Sequence, residues 1–336
     1  MDGAGNVLVR GDALDIGRCV AARSAQLAYL DPPFNVGASF RSRPRPGTSS
    51  TPPHKRGRGG DAPSTASPRG GGSRAQGPVA YDDRWPSLEA YLEWLEVRIA
   101  AARDCLGPDG TMWLHLDHRA VHEAKVVCDR VFGRAACLGE IIWATGNGAR
   151  GTRRGPGVTH QTLLLYAAGR DFVWNARDPS LREPFAATSL AMHFSQVDED
   201  GRRYRERSIG GRIYRYWADE GRAIGSVWTD CPAMVANTPL RRESTGYPTQ
   251  KPLALLERIV RASSRAGARV VDPFCGSGTA LVAAARLGRT FAGGDVGDIA
   301  LETTARRLRD EGIAFEERLD SKACIPAAER ASTPSF

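Results

Sequence analysis

The sequence has no uninterrupted apolar run near 18 residues, so no membrane-spanning helix is expected. Its first residues carry no basic-then-apolar leader, and no secretory signal is read there. The seven cysteines (Cys19, Cys105, Cys128, Cys137, Cys231, Cys275 and Cys324) include no C-x-x-C pair, which argues against a zinc ribbon or a disulfide framework and for a reducing, cytoplasmic setting. Lysine is scarce: Lys55, Lys125, Lys251 and Lys322 are the only four, so nearly all the basicity is arginine. Biased genome composition accounts for this more simply than a demand for guanidinium forks at phosphates. The most conspicuous glycine turn, Gly276-Ser-Gly278, does not read G-x-G-x-x-G, which lowers a dinucleotide-binding reading.

What is present is enough for a large core. A chain of 336 residues with 41% hydrophobic content accommodates one large domain or two modest ones. The formal charge of +8 is unevenly placed. Residues 41–78 hold eight basic side chains against Asp61 alone, together with seven prolines and eight glycines. Such a composition cannot bury enough apolar surface to fold, and the segment is read as a disordered basic insertion.

Around it the pattern alternates between strand and helix. Val7 to Val9 reads as a strand, with a helix starting near Leu14. Gln26 to Leu30 is a second strand, closed by Asp31-Pro32-Pro33-Phe34. Leu88 to Leu106 has helical spacing, Gly107-Pro-Asp-Gly110 reads as a turn, and Thr111 to Leu116 as a strand. A helix over Ala120 to Phe132, ended by Gly133, precedes a strand that begins at Glu140. From Thr145 to about Leu240 the pattern loosens into short strand-like pieces and arginine-bearing turns, read as a separate recognition segment. Order returns with a helix over Leu253 to Ala262, a strand over 268–272, the glycine turn, a helix from Thr279, a strand ending at Asp295 and a last helix from about Leu301 to Asp310. Strand, loop, helix, strand is the unit of a doubly wound α/β sheet.

Two runs at opposite ends of the chain suggest one site. Asp272-Pro-Phe-Cys-Gly276-Ser-Gly278 closes an apolar strand. Its glycines leave room for a ligand against backbone, and the helix that follows offers unpaired amides. Asp295 closes the next strand, where an acid can accept both hydroxyls of a ribose. Asp31, with the carbonyl of Pro32, can accept from an exocyclic amino group and make its nitrogen a better nucleophile, while Phe34 stacks on the base. A duplex hides that nitrogen, so the base must first be extruded. His115-Leu-Asp117-His118, with His122, is read as a strand-end cluster in ordinary polar roles, and no metal is expected. No Pro-Cys dipeptide exists (Cys231-Pro232 has the reverse order), which argues against cysteine attack on a pyrimidine ring.

Thr245-Gly-Tyr-Pro-Thr-Gln-Lys251-Pro252, Asp272 to Thr279, and Gly288-Arg-Thr-Phe-Ala-Gly-Gly-Asp295 resemble the β-group of DNA amino-methyltransferases, in which the Asp-Pro-Pro motif precedes the cofactor motif and the recognition region lies between. Gly11-Asp12-Ala-Leu14 and Tyr81-Asp-Asp-Arg-Trp85 resemble further segments of that family. The match covers most of residues 5–310. It implies the methyltransferase form of the α/β fold: a doubly wound, mostly parallel sheet with circularly permuted motif order. The expected layout is a catalytic-motif part over 1–40, the insertion over 41–78, core over 79–144, recognition over 145–240, a cofactor part over 241–315 and a flexible tail over 316–336.

The resemblance also implies S-adenosylmethionine as methyl donor. Asp272, Phe274, Gly276 and Gly278 would line its methionine side, Asp295 its ribose and Asp12 its adenine. Thr249, Gln250 and Lys251 would sit near its carboxylate. Asp31, Pro32, Pro33 and Phe34 would hold the target base. Two departures stand out. Phe34 occupies a position where tyrosine is common, and Ala-Gly-Gly before Asp295 replaces a bulkier apolar residue, which predicts a looser pocket.

The expected activity is methylation of adenine N6 in double-stranded DNA by base flipping and direct displacement. The alternatives are cytosine N4, a protein glutamine amide as substrate, and a DNA-binding module without catalysis. Arg150, Arg153, Arg154, Arg203 and Arg205 are the candidate DNA contacts, near Tyr204, Tyr214 and Tyr216. The resemblance is compatible with a homodimer and a separate restriction endonuclease, and it implies a cytoplasmic, nucleoid-associated protein of bacterial or archaeal type.

Overall fold

The structure, a computed structural model, describes residues 5–42, 77–145, 155–234 and 242–318. Among these residues the main sheet has nine strands, in the spatial order Val227–Trp228, Cys137–Ala144, His160–Ala167, Leu106–Leu116, Ala25–Leu30, Arg269–Asp272, Thr290–Asp295, Val7–Arg10 and Glu316–Arg318. Every pairing is parallel except the two made by His160–Ala167, which runs against both of its neighbours. None of the described helices is long and apolar enough to cross a membrane.

The strands are apolar on both faces because helices cover both. Val7, Val9, Ala28 and Leu30 belong to one buried cluster, with Ile16, Tyr91, Leu95 and Ile99. Leu8, Leu27, Tyr29, Val270 and Phe291 belong to the other, with Leu255, Ile259, Leu281 and Leu308. Side chains alternate across each strand with period two, so consecutive apolar residues feed opposite layers. The helices Ala13–Cys19, Leu88–Cys105 and Val121–Phe132 serve the first layer, and Leu253–Ser263, Thr279–Arg286 and Asp298–Asp310 the second.

The structure departs from the sequence reading in four places. Gly107-Pro-Asp-Gly110 does not separate helix from strand: the strand runs from Leu106 to Leu116. Ala25 pairs with Leu106 and Leu27 with Thr111, so the turn residues are extruded as a bulge while pairing continues on either side. The described part of residues 145–240 is joined to the core, because His160–Ala167 is an internal strand and Val227–Trp228 an edge strand of the main sheet. The expected tail begins as structure: Glu316–Arg318 pairs in parallel with Val7–Arg10. Cys19 is disulfide-bonded, unlike the free thiols at Cys105, Cys128, Cys137, Cys231 and Cys275. Most of the expected insertion, residues 43–76, lies outside the described residues. It is bracketed by an antiparallel pair, Ala38–Arg41 with Val79–Asp83.

The winding of the chain reverses between Ala25–Leu30 and Arg269–Asp272. From Ala25–Leu30 the sheet grows outward through Leu106–Leu116; from Arg269–Asp272 it grows the other way through Thr290–Asp295. Ligands of open α/β sheets settle at the carboxyl ends of strands at such a reversal. Asp31 and Asp272 stand there.

Candidate active site

The carboxyl ends of the central strands open into a cleft of about 210 Å³, lined among others by Asp12, Asp31, Phe34, Lys251, Asp272, Gly276 and Asp295. Residues from both ends of the chain, read as two halves of one site, therefore meet.

Asp31 follows the last residue of its strand. Lys251 Nζ lies 2.7 Å from Oδ1 and 2.5 Å from Oδ2. Burial pushes the Asp31 carboxyl above its ordinary value, and the Lys251 ammonium opposes that rise. The sequence reading placed Lys251 beside the cofactor's carboxylate; the structure places it on Asp31, with its ammonium 5.0 Å from the centre of the Phe34 ring. His115, fully buried, stands beneath: its Nδ1 is 4.0 Å from Asp31 Oδ1 and 2.8 Å from Tyr29 Oη. Burial, reinforced by Lys251, holds the His115 pKa well below the ordinary histidine value, so the ring is neutral. The cluster read as ordinary strand-end polarity thus divides. His115 turns inward to the site, while Asp117 accepts from the amide of Arg119 and pairs with its guanidinium.

The loop after Asp31 is tied down on several sides. The hydroxyl of Tyr91 donates to the carbonyl of Pro33 at 2.7 Å. Phe34 packs 5.9 Å, ring centre to ring centre, from His115. Asn35 takes a left-handed φ of 58°. The amides of Phe34, Asn35 and Val36 all point at the carboxylate of Asp83. Asp83 has no solvent exposure and was given no role from the sequence, although Tyr81-Asp-Asp-Arg-Trp85 drew notice as a segment.

On the other side, Asp272 is 2% exposed and accepts from the amide of Phe274 at 3.1 Å, closing its own turn. Burial raises its pKa well above the carboxylate range, and Asp31 and Asp295 add to the rise. Asp295 accepts from Gly276 at 3.0 Å and Gly297 at 2.8 Å; burial raises its pKa against the pull of those amides. Gly276 and Gly278 have φ of 49° and 73°, left-handed values that favour glycine. A Cβ on Gly278 would stand 2.8 Å from Thr304 Cγ2. Tyr81, Trp94, Tyr247 and Phe274 provide flat apolar walls.

Three expected cofactor contacts are already engaged within the protein. Asp12 caps the helix Ala13–Cys19 by accepting from Leu14 and forms an ion pair with Arg98. Gln250 clasps its own loop, accepting from the amide and hydroxyl of Thr245 and donating to the carbonyl of Glu243. Thr249 donates to the carbonyl of Pro248 and meets the hydroxyl of Tyr81 at 3.2 Å. Nor is the pocket loosened by Gly293 and Gly294. A Cβ on Gly293 would fall 2.4 Å from Leu281 Cδ1 and one on Gly294 2.1 Å from Ile16 Cδ1, so neighbouring side chains already fill that space.

Among the candidate DNA contacts, Arg150, Arg153 and Arg154 lie outside the described residues. Arg203 donates to the carbonyls of Leu190 and Phe194 and thereby closes the end of the helix Ala187–His193. The Arg205 guanidinium lies against the rings of Phe194, Tyr216 and Phe185. Both belong to the strand Arg203–Ile209, which forms a hairpin with Arg212–Trp217. On the same hairpin Arg215 pairs with Glu206, and Arg202 beside it pairs with Asp219. Near the Gly210-Gly211 turn, Arg207 and Arg212 are exposed beside Ile209, Ile213 and Tyr214.

Comparison with known proteins gives concordant results. A profile of the N6/N4 DNA methylase family matches residues 25–306. The Type II methyltransferase M.EcaI of Enterobacter cloacae is 26% identical over 333 residues, covering 86% of this chain and 66% of that protein, a little under two thirds of its length. The DNA adenine methyltransferase YhdJ of Escherichia coli is 24% identical over 302 residues, covering 90% of this chain and 82% of that protein. Among solved structures, TTHA0409 of Thermus thermophilus has a TM-score of 0.52 at 17% identity, covering 94% of this chain and 100% of that one. The cytosine-N4-specific PvuII DNA methyltransferase has a TM-score of 0.53 at 12% identity, covering 95% of this chain and 90% of that one. At those identities the structural likeness is one of fold.

Proposed function

This chain belongs to the N6/N4 family of DNA methylases, and from that membership we propose that it is an S-adenosylmethionine-dependent DNA methyltransferase acting on the N6 amino group of adenine in double-stranded DNA. One observation carries the proposal. Asp31, the acceptor for an exocyclic amino group, and the Asp272–Gly278 turn share one cleft at the ends of adjacent, hydrogen-bonded strands. Adenine rather than cytosine is supported by the match to an adenine methyltransferase over 90% of this chain.

The cleft suits this cofactor. Its lining holds Asp31, Asp272 and Asp295, carboxyl groups that a bound sulfonium would draw toward their ionised form, and its aromatic walls match an adenine ring. Asp272, Phe274, Gly276 and Gly278 would hold the methionine side, and Asp295 the ribose. Bound there, the cofactor supplies an electrophilic methyl carbon.

The chain's own residues prepare the nucleophile. The target base, turned out of the duplex, stacks on Phe34. Asp31 accepts one amino hydrogen and the carbonyl of Pro32 another, which holds the nitrogen lone pair toward the donor side. Lys251 keeps Asp31 ionised so that it can accept. Asp31 is also the nearest acceptor for the proton that the amino group releases. Positioning and fixed charges supply the acceleration.

The test is direct. DNA incubated with the protein and methyl-labelled cofactor is digested to nucleosides, which are identified by mass spectrometry. Labelled N6-methyldeoxyadenosine is the expected product. Labelled N4-methyldeoxycytidine would overturn the base assignment, and no label in DNA would overturn the activity. Asp31→Ala should lower transfer by at least ~10²-fold, as loss of a positioned transition-state acceptor does, with cofactor affinity retained.

A further inference from the structure

We infer that Asp83 is the positioning residue that presets the base-holding loop. The inference rests on the proposed methyl transfer and deepens it.

The geometry is unusual for a buried acid. Asp83 Oδ2 accepts from the amides of Phe34 at 3.0 Å and Val36 at 2.9 Å, and Oδ1 from the amide of Asn35 at 2.9 Å and the indole Nε1 of Trp85 at 3.0 Å. An ionised carboxylate has about four lone-pair sites, and four neutral N–H groups fill them here. Three successive amides converging on one point form the concavity that backbone elsewhere offers to a bound anion. In this chain an internal carboxylate occupies it.

That occupation fixes one conformation of the loop. Asn35 has a φ of 58°, a left-handed value that asparagine adopts more readily than most L-residues. With Asn35 left-handed, the amides on either side of it point the same way and Asp83 can hold them together. The carbonyl of Asp83 adds a further tie by accepting from Gly37 at 3.0 Å. Phe34 and Asp31 are only three residues apart, so clamping residues 34–36 fixes the ring and the carboxylate relative to each other. Asp83 borders the same cleft, but its carboxylate is taken up by the loop amides and the Trp85 indole, so it acts through the loop.

Sequence distance adds a constraint. Asp83 lies 49 residues from Phe34, on the far side of the basic insertion. The strand Val79–Asp83 pairs back on Ala38–Arg41, with Ala38 opposite Asp83. The chain thus leaves the base-holding loop, runs through the insertion and returns to clamp that loop with Asp83, while the preceding Asp82 pairs with Arg84.

Asp83→Asn is the test, because it preserves shape while replacing an acceptor oxygen by a donor that faces N–H groups. The expected result is a fall in kcat of about 10²-fold, the scale of a 1 Å misplacement in a reacting pair, with cofactor affinity within about threefold of the wild type. A double-mutant cycle with Phe34→Ala separates positioning from general structure. If Asp83 works through Phe34, Asp83→Asn should cost little more once Phe34 is absent. Full additivity, or a kcat for Asp83→Asn within threefold of the wild type, would overturn the inference. If Asp83→Asn fails to fold, Trp85→Phe removes one donor and keeps the ring; it should lower kcat several-fold at unchanged cofactor affinity, and an unchanged kcat would sink the inference. A wild-type protein that labels no DNA would instead sink the underlying methyl-transfer reading, so the two failures are distinguishable.

Discussion

The ammonium of Lys251 spans both carboxylate oxygens of Asp31, at 2.7 and 2.5 Å, across 220 residues of sequence. The pair is secluded, with side-chain exposures of 7% for Lys251 and 17% for Asp31. Removing one partner of a buried pair leaves the other charge uncompensated, which the protein relieves by taking up a proton.

Lys251→Met should therefore raise the Asp31 pKa further. In the proposed methyl transfer Asp31 acts ionised, so the acid limb of the pH–rate profile should move to higher pH. Each unit of that move lowers the rate tenfold at pH values below it. Activity near pH 7 should fall at least tenfold and recover in part as pH rises. A profile of wild-type shape, merely lowered, would contradict the role.

Stability should depend on pH in two opposed ways. Asp31, Asp272 and Asp295 have folded pKa values raised above the unfolded one, near 3.9, so their contribution is full below that value and declines as pH rises through the folded values. His115 has a folded pKa lowered from about 6.5, so its contribution is full above that value and declines as pH falls. Asp272→Asn should flatten the first limb, and His115→Gln the second. Denaturant midpoints measured across pH 4 to 9 would show both.

Asp272→Asn should also weaken binding of the sulfonium cofactor more than that of its uncharged-sulfur product, S-adenosylhomocysteine. The reason is that a sulfonium bound beside Asp272 would favour the ionised form of a carboxyl that burial otherwise disfavours, and asparagine has no such form. Calorimetry on the two ligands with wild type and variant reads this as a change in the ratio of affinities. Equal losses for both would remove the electrostatic argument.

Gly294→Ala places a methyl 2.1 Å from Ile16 Cδ1 and should destabilise by about 1–3 kcal/mol, the range for overpacking. Adding Ile16→Val removes Cδ1 and should restore part of the loss, since the backbone oxygen of Val9 still stands 2.9 Å from the new methyl. Thermal melts of the two variants suffice, and the absence of any rescue would place the strain elsewhere.

The hairpin arginines should separate by role. Arg207→Ala and Arg212→Ala, exposed near the turn, should each reduce the slope of log affinity for DNA against log salt by about one. Arg203→Ala should leave that slope unchanged and loosen the helix end it closes at Leu190 and Phe194.

The sequence showed most of the sheet and the acids of the site because each acid ends an apolar run. Asp31, Asp272 and Asp295 could be read as strand ends from their neighbours alone, and the sheet's reversal brought them together. Features that depend on a distant partner were not legible. Lys251 carries no local sign that it pairs with Asp31 and not with a ligand. Asp83 looks like any acid beside an arginine until three amides from the other side of the insertion are seen to converge on it. Gly107-Pro-Asp-Gly110 has strong turn chemistry, yet pairing with Ala25–Leu30 overrode it and produced a bulge. The apolar run His160–Ala167 looked like a piece of a recognition region because nothing in its composition marks a reversed internal strand. Arg203 and Arg205 fitted phosphate contacts equally well before the carbonyls and rings around them were known.

The direct pairing of Ala25–Leu30 with Arg269–Asp272 has a broader consequence. Neighbouring strands in any sheet stand about 4.8 Å apart, so the gap between Asp31, proposed to hold the base, and the Asp272–Gly278 turn, proposed to hold the donor, is set largely by a lattice constant of the backbone. Loop length does not enter it. Evolution could lengthen the connection between the two halves, as the arginine-rich stretch after residue 42 illustrates, without retuning the reaction distance. A slip of one residue in that single strand pairing, by contrast, would carry Asp31 about 3.3 Å along the sheet and turn its carboxylate to the opposite face.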